Sequence, residues 1–532
     1  MKTVQFRRII NAHLNYPSDS QEKYTTAMFI DARELDQGQH IKADICIIGA
    51  GAAGITIARE YIGTSTKVAL LESGGLEIDV KTQSLYDGEN IGLPSFPLRS
   101  NRLRFFGGTT NHWAGHCRPL DPIDFEKRKW LPHSGWPISR SDLDPFYRRA
   151  QPIVGLGPYE YENLAFWQSK INQPDLPLKE SRLKTVVYNQ SPPTRFGMQY
   201  RQELKDASNI SVYLYANVLD ILTNESATRV TSLKVACIDG PEFSLSARTF
   251  ILATGGMENA RLLLLSNSIA KNGLGNDNDL VGRYFMDHLL LRPGADISFS
   301  DPRLNLHLYD AVHEVAGGKM FAILASPEVL LRKEKLNNFR LHLIKAKPKT
   351  ADADGRIFSQ LDAVPGAEDH RLDDLPERKM NKDFIALHLV LEPTPNPDSR
   401  ITLSDKTDLF GQHQINVNWQ MKDNDLSHAH RAMELAALEF GRMGLGRAYG
   451  EIFKDSSRWP RNMEAGKHHC GTTRMTDSPK TGVADRNCKV YNISNLYLTG
   501  SSLFPTIGYA NPTLTIVALA LRLSDHLKGL PA

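Results

Sequence analysis

An α/β fold built around a dinucleotide-binding unit is predicted by three observations in this 532-residue chain. An apolar run at 45–48 leads into Gly49, Gly51 and Gly54 at GxGxxG spacing, and helical periodicity follows. A second run, FILATGG at 250–256, is followed by the helical segment ENARLLLLS. Stretches of strand character at 210–253 and 286–345 suggest antiparallel or mixed sheet.

The first run, ICII, is of the kind that a fully buried parallel strand needs. Gly49 permits a tight turn, Gly51 lets backbone approach a pyrophosphate, and Gly54 lets the next helix pack closely on the sheet. Ile55, Ala58, Tyr61 and Ile62 recur at helical spacing, so a helix is expected to start at Gly54. Its N-terminus would present free N–H groups and partial positive charge to the diphosphate. A second apolar run, 68–71, ends in Glu72, eighteen positions past Gly54. That is close to the ~20 expected of an acid that binds a ribose diol. The spacing leaves NAD and FAD both open.

Length suggests two to four domains. The 63 basic and 60 acidic residues leave a net charge of only +3, which points away from nucleic acid as a partner. Cys46, Cys117, Cys237, Cys470 and Cys488 are odd in number and contain no CxxC, so a reducing compartment is expected rather than a disulfide framework or zinc site. No apolar run approaches the ~18 residues of a membrane span. The pair Arg7-Arg8 is not followed by the apolar core of an export signal. A cytoplasmic location without a transmembrane segment is expected.

Along the chain, Phe6, Ile9, Ile10 and Leu14 predict a surface helix within an N-terminal extension, 1–40. At 103–125, Gly107 and Gly108 precede Thr109, Thr110, Asn111, His112 and Trp113, a composition suited to a loop against a flat ring system. His112 reads either as a structural histidine bonded to backbone or as an imidazole joined covalently to an activated flavin methyl group. His116 and Cys117 lack the further ligands that a metal would need. Residues 130–200 read as loops and short helices. The polar stretch 346–382 reads as a solvated loop, with a lid over the active site as the sharper alternative. A strand is expected at 384–391, a turn at 396–400 and a helix within 419–443.

The last 70 residues carry KHHCGTTRM at 467–475 and a clear helix after Asn511. Asn511 is expected as its N-cap, with Pro512 in the first turn, and Gly529 as its stop. Leu514, Val517, Ala518 and Leu521 form an apolar face, so the helix is expected to be buried. Its N-terminus then needs a partner, such as an anion or an electron-rich ring edge. Oxidising an alcohol requires an uncharged imidazole to take the hydroxyl proton and a second polar group to hold the oxygen. His468 and Asn511 can supply these roles if their loops meet; otherwise the two histidines are a structural pair near a turn. His469 is expected to point elsewhere on an extended chain.

The segments DICIIGAGAAG, LLESGG, FGGTTNHWAG, ILATGGMENARLLL, NDLVGRYFMDH, EPTPNPDSRITLS, HHCGTTRM and GSSLFPTIGYANPTLTIVALALRLSDHL together resemble the glucose–methanol–choline (GMC) oxidoreductases. The similarity is greatest to the pyranose-oxidase-like and bacterial dehydrogenase-like branch. The resemblance implies a Rossmann-like FAD-binding domain (41–150, 205–300 and 465–532) interwoven with an α+β substrate-binding domain (151–204 and 301–464) built on a largely antiparallel sheet. It implies His468 as catalytic base and Asn511 as its partner. It places FAD against Gly49, Gly51, Ala52, Ala53, Gly54, Glu72 and Ser73; against Gly107, Gly108, Thr109, Asn111, His112 and Trp113; and against Val218, Ala253, Gly500, Ser501, Asn511, Pro512 and Thr513. It also implies possible covalent attachment at His112. Thr476 and Pro393 stand where the family commonly has glycine and glutamine.

The expected activity is FAD-dependent oxidation of a CH–OH group in a small-molecule alcohol or sugar. Oxygen, a quinone or an electron carrier then serves as acceptor. The alternatives are a lyase or decarboxylase on the same scaffold, an NAD-dependent dehydrogenase, or a flavoprotein without alcohol turnover.

Overall fold

A computed structural model of the chain describes residues 28–179, 181–299, 305–345 and 384–530. The expected helix near Phe6 and the loop or lid at 346–382 lie outside the described residues.

The first of two large sheets has eight strands. His40–Ile48 sits near its middle, paired in parallel with Val68–Leu71 on one side and Glu242–Leu252 on the other. Ile210–Leu214 and Phe29–Asp31 extend the parallel part at one edge. Leu496–Leu498 joins Glu242–Leu252 in parallel, while Val230–Ala236 and Asn217–Thr223 form an antiparallel ribbon. The central strands read as unbroken apolar runs because helices cover them. The helix Ala52–Arg59 and the final helix Thr513–Lys528 pack together, and the latter also packs on Arg140–Ile153.

The second sheet has nine strands and is antiparallel throughout its described pairings. Gly446–Tyr449, Leu289–Phe299, Phe384–Leu391, Phe339–Lys345, Gly318–Ala325, Lys184–Gln190 and His116–Cys117 follow one another across it. A small three-stranded sheet combines Arg400–Thr407, His413–Asn418 and Gly88–Asn90.

Four expectations need correction. The strand Leu289–Phe299 falls in the expected FAD segment 205–300, yet it pairs in the second sheet; so does His116–Cys117 from 41–150. Phe29–Asp31, placed in the extension 1–40, is an edge strand of the first sheet. The stretch 130–200 contains a seven-residue strand, Lys184–Gln190, besides its helices. The first glycine-rich helix starts at Ala52 rather than Gly54, because Gly51 already serves as its N-cap.

Candidate active site

A cavity of about 870 Å³ opens between the two large sheets. Its floor is the glycine turn. Gly49 has φ +103°, and a Cβ there would fall 2.7 Å from the Ala253 carbonyl oxygen. A Cβ on Gly54 would lie 1.9 Å from the Gly49 oxygen, whereas one on Gly51 would meet nothing within 4 Å. The first and third positions are therefore closed by packing, and the second faces open space that a ligand can enter.

Gly49, Gly51, Ala52, Ala53, Glu72 and Ser73 line the cavity. So do Gly108, Thr109, His112 and Trp113, and beyond them Val218, Ala253, Gly500 and Ser501. Asn511, Pro512 and Thr513 complete the wall at the end of the final helix. Gly54, Gly107 and Asn111 stand behind the wall. Gly107 N–H donates to the Ala50 carbonyl at 2.8 Å, and Asn111 Nδ2 donates to the Phe106 carbonyl at 3.0 Å, so these two shape the loop.

Glu72 is buried. It accepts from Ala50 N at 3.0 Å and Gly74 N at 2.9 Å. Burial raises its pKa, against the pull of these N–H groups and of Arg104. The Nδ1 of His112 is buried with no hydrogen-bond partner among the described residues. Burial, then Lys467 and Arg195, hold this imidazole neutral, with its pKa down at about 4.

At the final helix the structure departs from expectation. Asn511 does not cap it: Pro512 is the N-cap residue, and among the described residues no side chain bonds the first-turn N–H groups. The Asn511 amide is already engaged elsewhere, its Oδ1 accepting from Arg340 Nη2 at 3.3 Å and its Nδ2 lying 3.2 Å from His468 Nε2. The uncapped end, with Pro512 and Thr513, is left facing the cavity.

The structure brings His468 and Asn511 together across 43 positions of chain, and it fixes the protons between them. His288 Nε2 lies 2.8 Å from the Gly508 carbonyl, which only accepts, so that nitrogen carries the hydrogen. The neutral His288 ring then accepts at Nδ1, 2.8 Å from His468 Nδ1, which must donate. His468 Nε2 is left with its lone pair, and the Asn511 amide donates to it. The donor-only guanidinium of Arg340 on Asn511 Oδ1 agrees with this direction. Burial first, then His288 and Arg340, hold His468 well below the usual imidazole pKa. Its backbone N–H donates to Asp287 Oδ1 at 2.8 Å. His469 also lines the cavity, with its ring stacked on Phe285 and Nε2 3.9 Å from Asp287 Oδ2.

Sequence reasoning passed over His288, Arg340, Arg292 and His342. The signal for the last three was available: charged or imidazole side chains at alternate positions of otherwise apolar strands. His288 had only its place beside Asp287 in the segment NDLVGRYFMDH.

The residues present fit FAD. They combine a glycine turn open at its second position, an acid at the end of the next strand, an uncapped helix terminus and an unpaired buried histidine nitrogen. Residues 395–520 match the family described as GMC oxidoreductase. A dehydrogenase of Strobilurus tenacellus, str4, is 34% identical and aligns over 94% of this chain and 96% of its own. A C-glycoside 3-oxidase of Microbacterium trichothecenolyticum is 30% identical over 97% of this chain and 88% of its own. Among solved structures, a formate oxidase superposes with a TM-score of 0.58 at 18% identity, covering 93% of this chain and 99% of that one. Fold, cavity and these likenesses agree that the chain belongs to the GMC oxidoreductase family and is an FAD-dependent oxidoreductase.

Proposed function

We propose that this enzyme oxidises a CH–OH group of an alcohol or sugar, with His468 as the base and Asn511 as the group that holds the substrate oxygen. Bound FAD supplies the hydride acceptor. His468 Nε2 takes the hydroxyl proton, and the Asn511 Nδ2–H group donates to the oxygen as alkoxide character develops. Leu290 and Val390 of the second sheet line the cavity with apolar surface, which disfavours water beside them. The first sheet with the final helix serves as the cofactor unit, and the second sheet covers the substrate.

The observation that carries this reading is the unprotonated Nε2 of His468, set by the bonds through His288 and lining the same cavity as the glycine turn. Anaerobic mixing of the FAD-loaded enzyme with a panel of alcohols and sugars is expected to bleach the flavin absorbance. Admitting oxygen or a quinone then restores it and identifies the acceptor. An intact, flavin-loaded enzyme that no member of the panel bleaches would sink the proposal.

His112 is proposed as the covalent attachment point, supported by its unpaired, neutral ring at the cavity wall. After acid precipitation, flavin colour is expected to stay with the native protein and to pass into the supernatant for His112→Ala. Colour in the native supernatant would exclude the bond.

Among the described residues no helix is long and apolar enough to cross a membrane. A cytoplasmic location is proposed, supported by cysteines that are free and buried.

A further inference from the structure

The second sheet presents one face to the cavity, and that face is positively charged. Strand alternation places Arg340 and His342 on it from Phe339–Lys345, His388 from Phe384–Leu391 and Arg292 from Leu289–Phe299. His116 and Gln190, opposite each other in register, continue it at the far edge.

Arg340 is 5% exposed, and among the described residues no carboxylate lies within 4 Å of it. Its protein partners are neutral: the Tyr509 carbonyl at 3.1 Å, His342 Nε2 at 2.8 Å and Asn511 Oδ1 at 3.3 Å. These leave one N–H on each terminal nitrogen uncommitted. Among the described residues Arg292 pairs only with Glu464, at 3.9 Å; its side chain is half exposed and lines the cavity. Arg340 and Arg292 both act on the neighbouring rings: after burial itself, they are what hold the His116 imidazole down at about 4.

The cavity's own carboxylates are committed elsewhere. Glu72 is held by backbone N–H groups. Glu258 is bound by Arg102, Arg104 and Arg261, and Asp408 by Arg261. A buried guanidinium without a counter-charge is costly, and a planar guanidinium matches carboxylate and phosphate oxygens.

We infer that the substrate is a hydroxyl compound bearing an anionic group, a carboxylate or a phosphate, which Arg292 and Arg340 bind while its CH–OH carbon lies at His468. This rests on the proposed oxidation and adds the chemical class of its substrate. A cation that served only the negative charge developing at the reaction centre would favour charged and neutral substrates alike. Arg292, which makes no hydrogen bond to His468 or Asn511 among the described residues, is surplus to that role.

The test compares D-glucose, D-glucuronate and glucose 6-phosphate as reductants of the FAD-loaded enzyme, with succinate and methylphosphonate as anions that it cannot oxidise. At least one charged sugar is expected to exceed glucose in kcat/KM about tenfold or more, as a charge-assisted contact allows, and the preferred one tells carboxylate from phosphate. The matching inert anion is expected to perturb the bound flavin's spectrum and to compete with substrate. Arg292→Met is expected to collapse both the preference and the anion-induced spectral change. Equal kcat/KM for charged and neutral sugars, or a preference that survives in Arg292→Met, overturns the inference. If Arg292→Met does not fold, loss of the native enzyme's preference and of its anion-induced spectral change at high salt supports the inference, and their persistence overturns it. The two readings fail separately. Bleaching by glucose without any response to the anions removes the anion site and keeps the oxidation; a spectral response to the anions without bleaching by any member of the alcohol and sugar panel does the reverse.

Discussion

Replacing His468 with alanine is expected to slow flavin reduction by about 10²–10⁴-fold, the usual contribution of a positioned general base. KM is expected to change far less than kcat, because the imidazole acts on the proton in flight rather than on the bound alcohol. The protonation state makes the prediction sharper. Burial, then His288 and Arg340, depress the His468 pKa well below its ordinary value. A base fails when it is protonated, so activity falls only as pH drops through that depressed value. The rate of flavin reduction should therefore stay flat from about pH 8 to below ~6.5, where an ordinary imidazole would already be titrating. Stopped-flow reduction of His468→Ala and of the native enzyme across this range checks both points. A variant within threefold of native, or a native profile with its midpoint near an ordinary imidazole's, would remove His468 from the chemistry.

The largest effect on stability is expected at Glu392. It meets Arg128 in a bidentate pair, at 2.7 and 2.8 Å, and both side chains are fully buried. The same carboxylate accepts from Gly508 N at 3.1 Å and Asn338 N at 3.2 Å. Glu392→Ala strips the buried guanidinium of its hydrogen-bonded counter-charge, with only the more weakly acting Asp124 and Glu126 nearby, and leaves two backbone N–H groups unpaired. Breaking one side of such a pair costs about 3–5 kcal/mol. The double variant Arg128→Met/Glu392→Leu should recover much of that loss, since it buries no lone charge. Urea unfolding followed by tryptophan fluorescence measures both. A double variant as unstable as Glu392→Ala would show that the loss lies in the backbone bonds rather than in the orphaned charge.

Legibility followed the distance over which each feature is decided. The glycine turn is settled within a few residues, so its strand, turn and helix could be read directly, apart from a start two residues early at Ala52. Phe384–Leu391 was legible for the same reason, as a run apolar but for His388 and closed by Glu392. Lys184–Gln190 was not, because it lies among prolines and owes its strand state to Gly318–Ala325 far along the chain. That Asn511 and His468 should meet was anticipated from the demands of the chemistry, and they do, but the expected capping bond of Asn511 is not made. Helix-end preference is weak, and His468 and Arg340 compete for the same amide. The contacts of His288 and Arg340 became visible only in three dimensions: each reaches the site across more than 170 residues, at 180 positions from His468 and 171 from Asn511.

The run of bonds from Arg340 to the Gly508 carbonyl also limits where a captured proton can travel. From His468 it can hop inward once, to His288, and there the route is a cul-de-sac, since an amide carbonyl cannot relay it onward. Among the described residues the exit left to it is back through Nε2 into the cavity, where the product would lie. With His468 as the proposed base, emptying the pocket and regenerating that base would be a single event, and the departing product would rearm the enzyme.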